Sequence, residues 1–215
     1  IAVINRAMRE KITGMMPVYL DYNATTPLHR QAAAAMAELA DIPANPSSIH
    51  HFGRMARARL DKARARLAAA LNISVHDIIF TSGGTEANNL VLGNFRHIIT
   101  SAIEHDAILA ACPNAQIVPV DGQGQLRMDR LEERLAALEE ADKPDILVSI
   151  MAANNETGTL QPIAEIAALC RTYKVACHSD MIQYLGKQAI DLAALDLDFA
   201  SFSAHKIGGP SGVGA

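Results

Sequence analysis

Ile146-Leu147-Val148-Ser149-Ile150-Met151 is a nearly unbroken apolar run, and the polar stretch Asn154-Asn155-Glu156-Thr157-Gly158 follows it. A strand with one face in water alternates apolar and polar residues. This run does not, so it predicts a strand buried on both faces. Pro162 to about Tyr173 then has helical spacing, and Val175-Ala176-Cys177-His178 reads as the next strand. The same alternation extends both ways. Upstream, Ile78-Ile79-Phe80-Thr81 predicts a strand that runs into Ser82-Gly83-Gly84-Thr85 and a helix through Leu90 and Val91. His97 to Thr100 and Gln116 to Val120 read as strands, separated by a short helix that stops before Pro113. Asp129 with Glu132 is expected to form a capping box for a helix to about Ala141. Downstream, a short helix near Leu192 leads to a strand over Leu197 to Phe202. Toward the N-terminus, Thr26 and Pro27 are expected to open a helix to about Ala40. Asn45-Pro46-Ser47-Ser48 breaks the chain, and a helix from about Gly53 to Leu71 sets Ala56, Leu60, Ala63, Leu67 and Leu71 on one side. The expected fold class is therefore α/β: a mostly parallel sheet covered by helices on both faces.

Composition narrows the function. Of 215 residues, half are hydrophobic and only 4% aromatic, which fits helices laid on a sheet. A formal charge of −4 gives no reason to expect nucleic acid. The arginines between Arg54 and Arg66 alternate with Ala and acid, as on a solvated helix face. No apolar stretch reaches the length that spans a bilayer, so no membrane partner is expected. Three cysteines, Cys112, Cys170 and Cys177, do not make a disulfide framework and fit a reducing cytoplasm. Met16-Pro17-Val18-Tyr19-Leu20 reads as a natural beginning, which makes residues 1–15 an N-terminal extension and 16–215 the domain.

In an open α/β sheet, ligands bind beyond the carboxyl ends of the strands, and the unusual polar residues fall there. Lys206 follows an apolar strand, with Ser201, Ser203 and His205 just before it and Gly208-Gly209-Pro210 just after. Taken alone it reads first as a surface lysine in a turn. Buried in such a place it loses its charge more readily and can form Schiff bases with carbonyls, including pyridoxal 5'-phosphate (PLP), and the polar residues upstream favour that reading. Ser82-Gly83-Gly84-Thr85 joins a strand to a helix start and reads equally as an anion site or a tight capped turn. His105 stands at another strand end, where an imidazole can lie on an aromatic ring, move protons or serve structure alone. Asp180 at a further strand end can hold a pyridine nitrogen protonated or cap a helix, and Gln183 lies one turn on. A metal site of His105, Asp106, His178 and Asp180 ranks low, because it leaves Lys206 and the glycine turn without a role.

Seven stretches carry a resemblance: Tyr19 to Pro27; Asn45-Pro46-Ser47-Ser48 with His50 or His51 and Gly53-Arg54; Thr81 to Asn89; Ile98 to His105; Asn154 to Thr159; His178 to Gln183; and Ser203 to Pro210. In this order they resemble the N-terminal part of a cysteine desulfurase of the NifS/IscS type, within the class V aminotransferase family. The resemblance implies the large domain of fold-type I PLP enzymes. It implies that Lys206 bonds PLP, that His105 stacks on the ring and moves protons, and that Asp180 pairs with the ring nitrogen. Gln183 and Asn155 would border the ring hydroxyl and substrate, and Gly84, Thr85, Ser203 and His205 would hold the phosphate. The implied reaction converts L-cysteine to L-alanine and an enzyme persulfide, which passes to a sulfur-acceptor protein for iron–sulfur cluster assembly or thiolation. A homodimer is also implied. Close rivals are a selenocysteine lyase or an aminotransferase of the same class, and a non-catalytic PLP-binding or dimerisation module.

Two departures bear on this. In the family the nucleophilic cysteine, the substrate-carboxylate arginine and a small C-terminal domain come after the position of Ala215. Cys112, Cys170 and Cys177 read as buried small hydrophobes, not substitutes. The chain by itself is therefore expected to lack desulfurase turnover. Met181-Ile182 stands where the family often has small residues, which is expected to alter the packing behind the ring.

Overall fold

The computed structural model describes residues 17–43 and 45–215; the expected extension over residues 1–15 lies outside them. Five strands form one sheet: β1 (His97–Ser101), β2 (Gln116–Val118), β3 (Ile146–Ser149), β4 (Ala176–Asp180) and β5 (Phe199–Ser201). Their order is β2-β1-β3-β4-β5, and every neighbouring pair is parallel. The chain steps outward from β1 to β2, then returns to lay β3 on the other side of β1. That reversal opens a crevice at the carboxyl ends of β1 and β3, the place where sheets of this kind take ligands.

Seven helices are described: α1 (Arg30–Ala40), α2 (His51–Leu71), α3 (Gly84–Leu92), α4 (Asp106–Leu109), α5 (Met128–Ala136), α6 (Ile163–Tyr173) and α7 (Leu192–Leu195). The unbroken apolar run of β3 has its explanation here. Val148 packs with Leu131 and Leu135 of α5 and Ile166 and Cys170 of α6. Leu147 packs on the other face with Leu92 of α3 and Ile108 of α4. Both faces are covered, so neither register needs a polar residue.

The structure corrects several local expectations. Ile78 to Thr81 is not a strand: Thr81 alone forms an antiparallel bridge, with Gly214, which also bridges Ser203. Ile78 instead gives its carbonyl to the Arg64 guanidinium, which also lies 4.8 Å from the centre of the Phe80 ring. The first helix starts at Arg30 with His29 as its cap, not at Thr26. Thr26 is occupied elsewhere. Its hydroxyl donates to the His205 carbonyl at 2.8 Å and accepts the Gly208 N–H at 2.7 Å, so it ties residues 19–27 to the turn around Lys206. Asp129 with Glu132 forms no capping box. Arg127 precedes α5 without a side-chain cap and grips Asp129 through two nitrogens, at 2.9 and 2.7 Å. A bidentate guanidinium pair outcompetes a backbone amide for that carboxylate. Of the expected apolar side of α2, Leu71 is buried, whereas Ala63 is exposed, because only the last turn of this helix reaches the core.

Candidate active site

A cavity of about 180 Å³ lies at the carboxyl end of the sheet, and all nine expected site residues line it: Gly84, Thr85, His105, Asn155, Asp180, Gln183, Ser203, His205 and Lys206. Met151, Ala153 and Ile182 complete the lining. A slightly larger groove, about 220 Å³, runs between Ile78–Thr81 and β5, but its lining is mostly apolar and contains no amine or imidazole.

Lys206 ends a short turn (Ala204–Lys206) that follows β5. Its amine donates to the main-chain carbonyl of Asn23 at 2.5 Å. Desolvation, then the nearby charge of Lys187, holds this amine below the usual lysine range, while Asp180 and Asp21 pull it back up. The direction is that of an amine prepared for attack on a carbonyl.

Asp180 ends β4 and is 4% exposed. One carboxylate oxygen accepts the Ile182 N–H at 3.0 Å, and the other accepts the side-chain amide of Asn88 at 2.8 Å. Burial pushes this carboxyl up; those two hydrogen bonds, and the charges of His105 and Lys206, oppose it. Both direct donors to this carboxylate are neutral, and a protonated pyridine would give it a cation in contact.

Gly84 opens α3, and no side chain caps that helix start. Its first amides are therefore free for an anion. A Cβ at Gly84 would lie 2.0 Å from Cδ1 of Ile182, so any larger residue here must push that side chain aside. Thr85, Ser203 and His205 complete a set of hydroxyl and imidazole groups suited to a phosphate. The His205 imidazole, held 3.1 Å from the Thr25 hydroxyl, is lowered by desolvation and by Lys206.

His105 caps α4, and its Nδ1 accepts the Ala107 N–H at 3.0 Å. With Nδ1 accepting, Nε2 is the ring's donor nitrogen. The Asn155 carbonyl accepts the side-chain amide of Asn23 at 2.9 Å. Asn154, flanking it, serves the loop: its Oδ1 accepts the N–H groups of Glu156 and Thr157, and its Nδ2 donates to the Ile103 carbonyl. Gln183 donates to the Asn23 carbonyl at 2.9 Å and accepts the Lys187 amine at 2.5 Å.

Beneath the cavity, a row of polar groups crosses the sheet. Thr100 donates to the Ser149 carbonyl at 2.7 Å, the Ser149 hydroxyl meets His178 Nδ1 at 2.8 Å, and His178 Nε2 meets the Ser201 hydroxyl at 2.9 Å. Burial lowers the His178 imidazole to about 3, so it is neutral. Among the described residues no three of His, Cys, Asp and Glu come together to hold a metal.

Four residues had no role in the sequence reading. Asn23 receives Lys206 and Gln183, Lys187 lies between Asn23 and Gln183, and Asn88 holds Asp180. Glu104 is 6% exposed, and burial pushes its carboxyl up to about 8. Its Oε1 accepts the Ser101 hydroxyl at 2.6 Å and the Met151 N–H at 2.9 Å. The one sequence signal for Glu104 is its place directly before His105, and for Asn88 its place one helical turn after Gly84.

Comparison with known proteins agrees with this geometry. A profile described as "Aminotransferase class-V" matches residues 18–215. The cysteine desulfurase IscS of Dictyoglomus turgidum is 42% identical over 92% of this chain and 53% of that protein. The mitochondrial cysteine desulfurase of Saccharomyces cerevisiae is 39% identical over 94% of this chain and 43% of that protein. A crystal structure of a NifS-like protein from Rickettsia africae superposes with a TM-score of 0.87 at 43% identity, over 92% of this chain and 56% of its own. A structure titled "SspA in complex with cysteine" has a TM-score of 0.81 at 31% identity, over 91% of this chain and 59% of its own. The chain thus spans about half the length of the relatives it matches.

Proposed function

Because the chain belongs to the class V aminotransferase family and has the large-domain fold of the NifS-like proteins, we propose that its cavity binds PLP and provides the cofactor half of a cysteine desulfurase. The observation that carries this reading is the meeting, in one cavity, of the Lys206 amine, the buried Asp180 carboxylate and the uncapped start of α3. A donor set of open amides, hydroxyls and imidazole fits a phosphate. The carboxylate, whose direct donors are neutral, fits a pyridinium, and the lowered amine fits an aldehyde.

When bound, PLP supplies an aldehyde for amine exchange and a protonated ring that withdraws electrons from the substrate α-carbon. The chain's own groups do the rest. Gly84, Thr85, Ser203 and His205 hold the phosphate. Asp180 keeps the ring nitrogen protonated, and His105 covers the ring. Asn155 and Gln183 border the ring hydroxyl. Lys206 Nζ, held below the usual lysine range by desolvation, takes and returns the substrate proton.

L-Cysteine is the proposed substrate, a reading supported by the names of the relatives and by the cysteine in the SspA structure. L-Alanine and sulfur for an acceptor protein are the proposed products. Sulfur abstraction requires a thiolate. Cys170 and Cys177 are buried, and the neighbouring Cys170 thiol together with burial pushes the Cys177 thiol far up; desolvation raises Cys112 as well. Cys112 is only half-buried, contrary to the expectation that all three are buried, but none of the three lines the cavity, so we expect this chain to hold the cofactor without releasing sulfur by itself. The proposed homodimer rests on the apolar side chains exposed near the N-terminus, among them Val18, Leu20, Ile49 and Phe52, and on α1, which buries no residue. Among the described residues no helix is long and apolar enough to cross a membrane. The proposed location is a reducing compartment, the cytoplasm, on the strength of the free cysteines.

The test is the visible absorption of the purified chain with added PLP, before and after borohydride, followed by mass mapping. The expected result is a coloured band and a reduced adduct on Lys206, both lost in Lys206→Ala. A label on Lys187, or no band at all, would overturn the reading.

A further inference from the structure

We propose that Asn88 is a positioning residue, which orients Asp180 toward the ring nitrogen and locks it to the helix start at the anion end of the site. The inference rests on the cofactor reading above and names a residue that reading does not use. Asn88 is completely buried, and its Nδ2 donates to Asp180 Oδ2 at 2.8 Å. It stands four residues after Gly84, one turn along α3, so the two share a helix face. Gly84 lies against Ile182 and Ser203, and the Ile182 N–H holds the other oxygen of Asp180. The anion end and the carboxylate end of the cavity are therefore joined twice, through the Asn88 amide and through Ile182.

Two features point to a reason for this amide beyond stability. Asn88 Oδ1 is buried without a partner among the described residues. An orphaned buried acceptor is a cost that an apolar side chain of the same shape would not carry. The chemical type of the donor is also telling. A lysine or arginine here would neutralise Asp180 and compete with the ring nitrogen for its charge. An amide directs one oxygen and leaves the charge intact.

The test measures the affinity of the purified chain, without a reaction, for two probes: PLP and its deaza analogue, in which CH replaces the ring nitrogen. Asn88→Leu keeps the side-chain volume and removes the donor. Asn88→Asp keeps the shape and sets a second carboxylate against Asp180. Both are expected to weaken PLP binding roughly tenfold or more, the equivalent of one hydrogen bond to a charged group. Binding of the deaza analogue is expected to change by less than about twofold, since it offers Asp180 nothing to hold. Circular dichroism establishes that each variant is folded; Asn88→Leu leaves one buried oxygen of Asp180 without its donor and is expected to unfold somewhat earlier than the parent chain. Equal losses for both probes would mean a merely structural role and would overturn the proposal, as would unchanged PLP binding in Asn88→Leu. A parent chain that binds neither probe would instead overturn the cofactor reading itself, and this inference with it.

Discussion

Replacing Glu104 by Gln is expected to change how stability depends on pH, with a sign and size that follow from the buried carboxyl. In the fold this group sits at about 8, against an ordinary value of 4.5. The folded state therefore keeps a proton that the unfolded chain gives up. Its contribution is complete below about 4.5, falls as pH rises, and is lost above about 8. At about 1.4 kcal/mol per pH unit of difference, the parent chain loses on the order of 3 kcal/mol from this group between about pH 5 and pH 8. Glutamine does not titrate. Its Oε1 can still accept the Ser101 hydroxyl and the Met151 N–H, so any cost of the new amide is a constant offset. His178 adds an opposite trend: its imidazole is lowered to about 3, so its contribution is lost as pH falls below the usual histidine range. Both chains share that trend, and subtraction removes it. Urea unfolding followed by far-ultraviolet circular dichroism, at a series of pH values, gives the difference directly. Glu104→Gln should gain on the parent by about 3 kcal/mol across the range. A difference that stays flat, or one that shrinks as pH rises, would refute the reasoning.

Three other substitutions test the packing of the site. Gly84→Ala should destabilise the chain by about 1–3 kcal/mol, because its Cβ meets Ile182 Cδ1, and adding Ile182→Val, which removes that atom, should recover part of the loss; strictly additive unfolding energies would contradict this. His178→Phe leaves the Ser149 and Ser201 hydroxyls buried without partners, and urea unfolding should show a loss of about 2–4 kcal/mol. A neutral result there would mean that the row across the sheet contributes nothing. Thr26→Val removes the hydroxyl bonds to His205 and Gly208 and should cost about 1–2 kcal/mol, with faster hydrogen exchange at the Gly208 amide. Unchanged exchange would show that residues 19–27 are held in some other way.

What the sequence disclosed, and what it hid, follows from the range over which each signal acts. The buried strands were readable because an uninterrupted apolar run such as Ile146 to Met151 has one physical explanation, cover on both faces. That the expected residues after the strands would line one cavity was readable because a parallel sheet sends all its strand ends the same way; Gly84 and Thr85 reach it from a helix start that no strand precedes. Helix caps were misplaced where another partner took the capping group: Thr26 went to the distant Lys206 turn, and Asp129 to Arg127, two residues before it. The strand expected at Ile78 to Thr81 failed because β-structure needs a neighbour as well as the right residues, and here it meets Gly214 at one position. Asn23 gave no local sign of its role and Asn88 only its spacing from Gly84, since their partners lie 183 and 92 residues away.

The amine of Lys206 rests on a main-chain oxygen, that of Asn23. Every amino acid brings the same oxygen, so no exchange of side chain at position 23 can take it away. Such an exchange would free Lys187 and the Asn155 carbonyl from the asparagine side chain and still leave Lys206 docked. An arriving aldehyde must therefore win the amine from the backbone itself. Only a shift in the path of residues 19–27, by an inserted or deleted residue, would make that contest easier or harder.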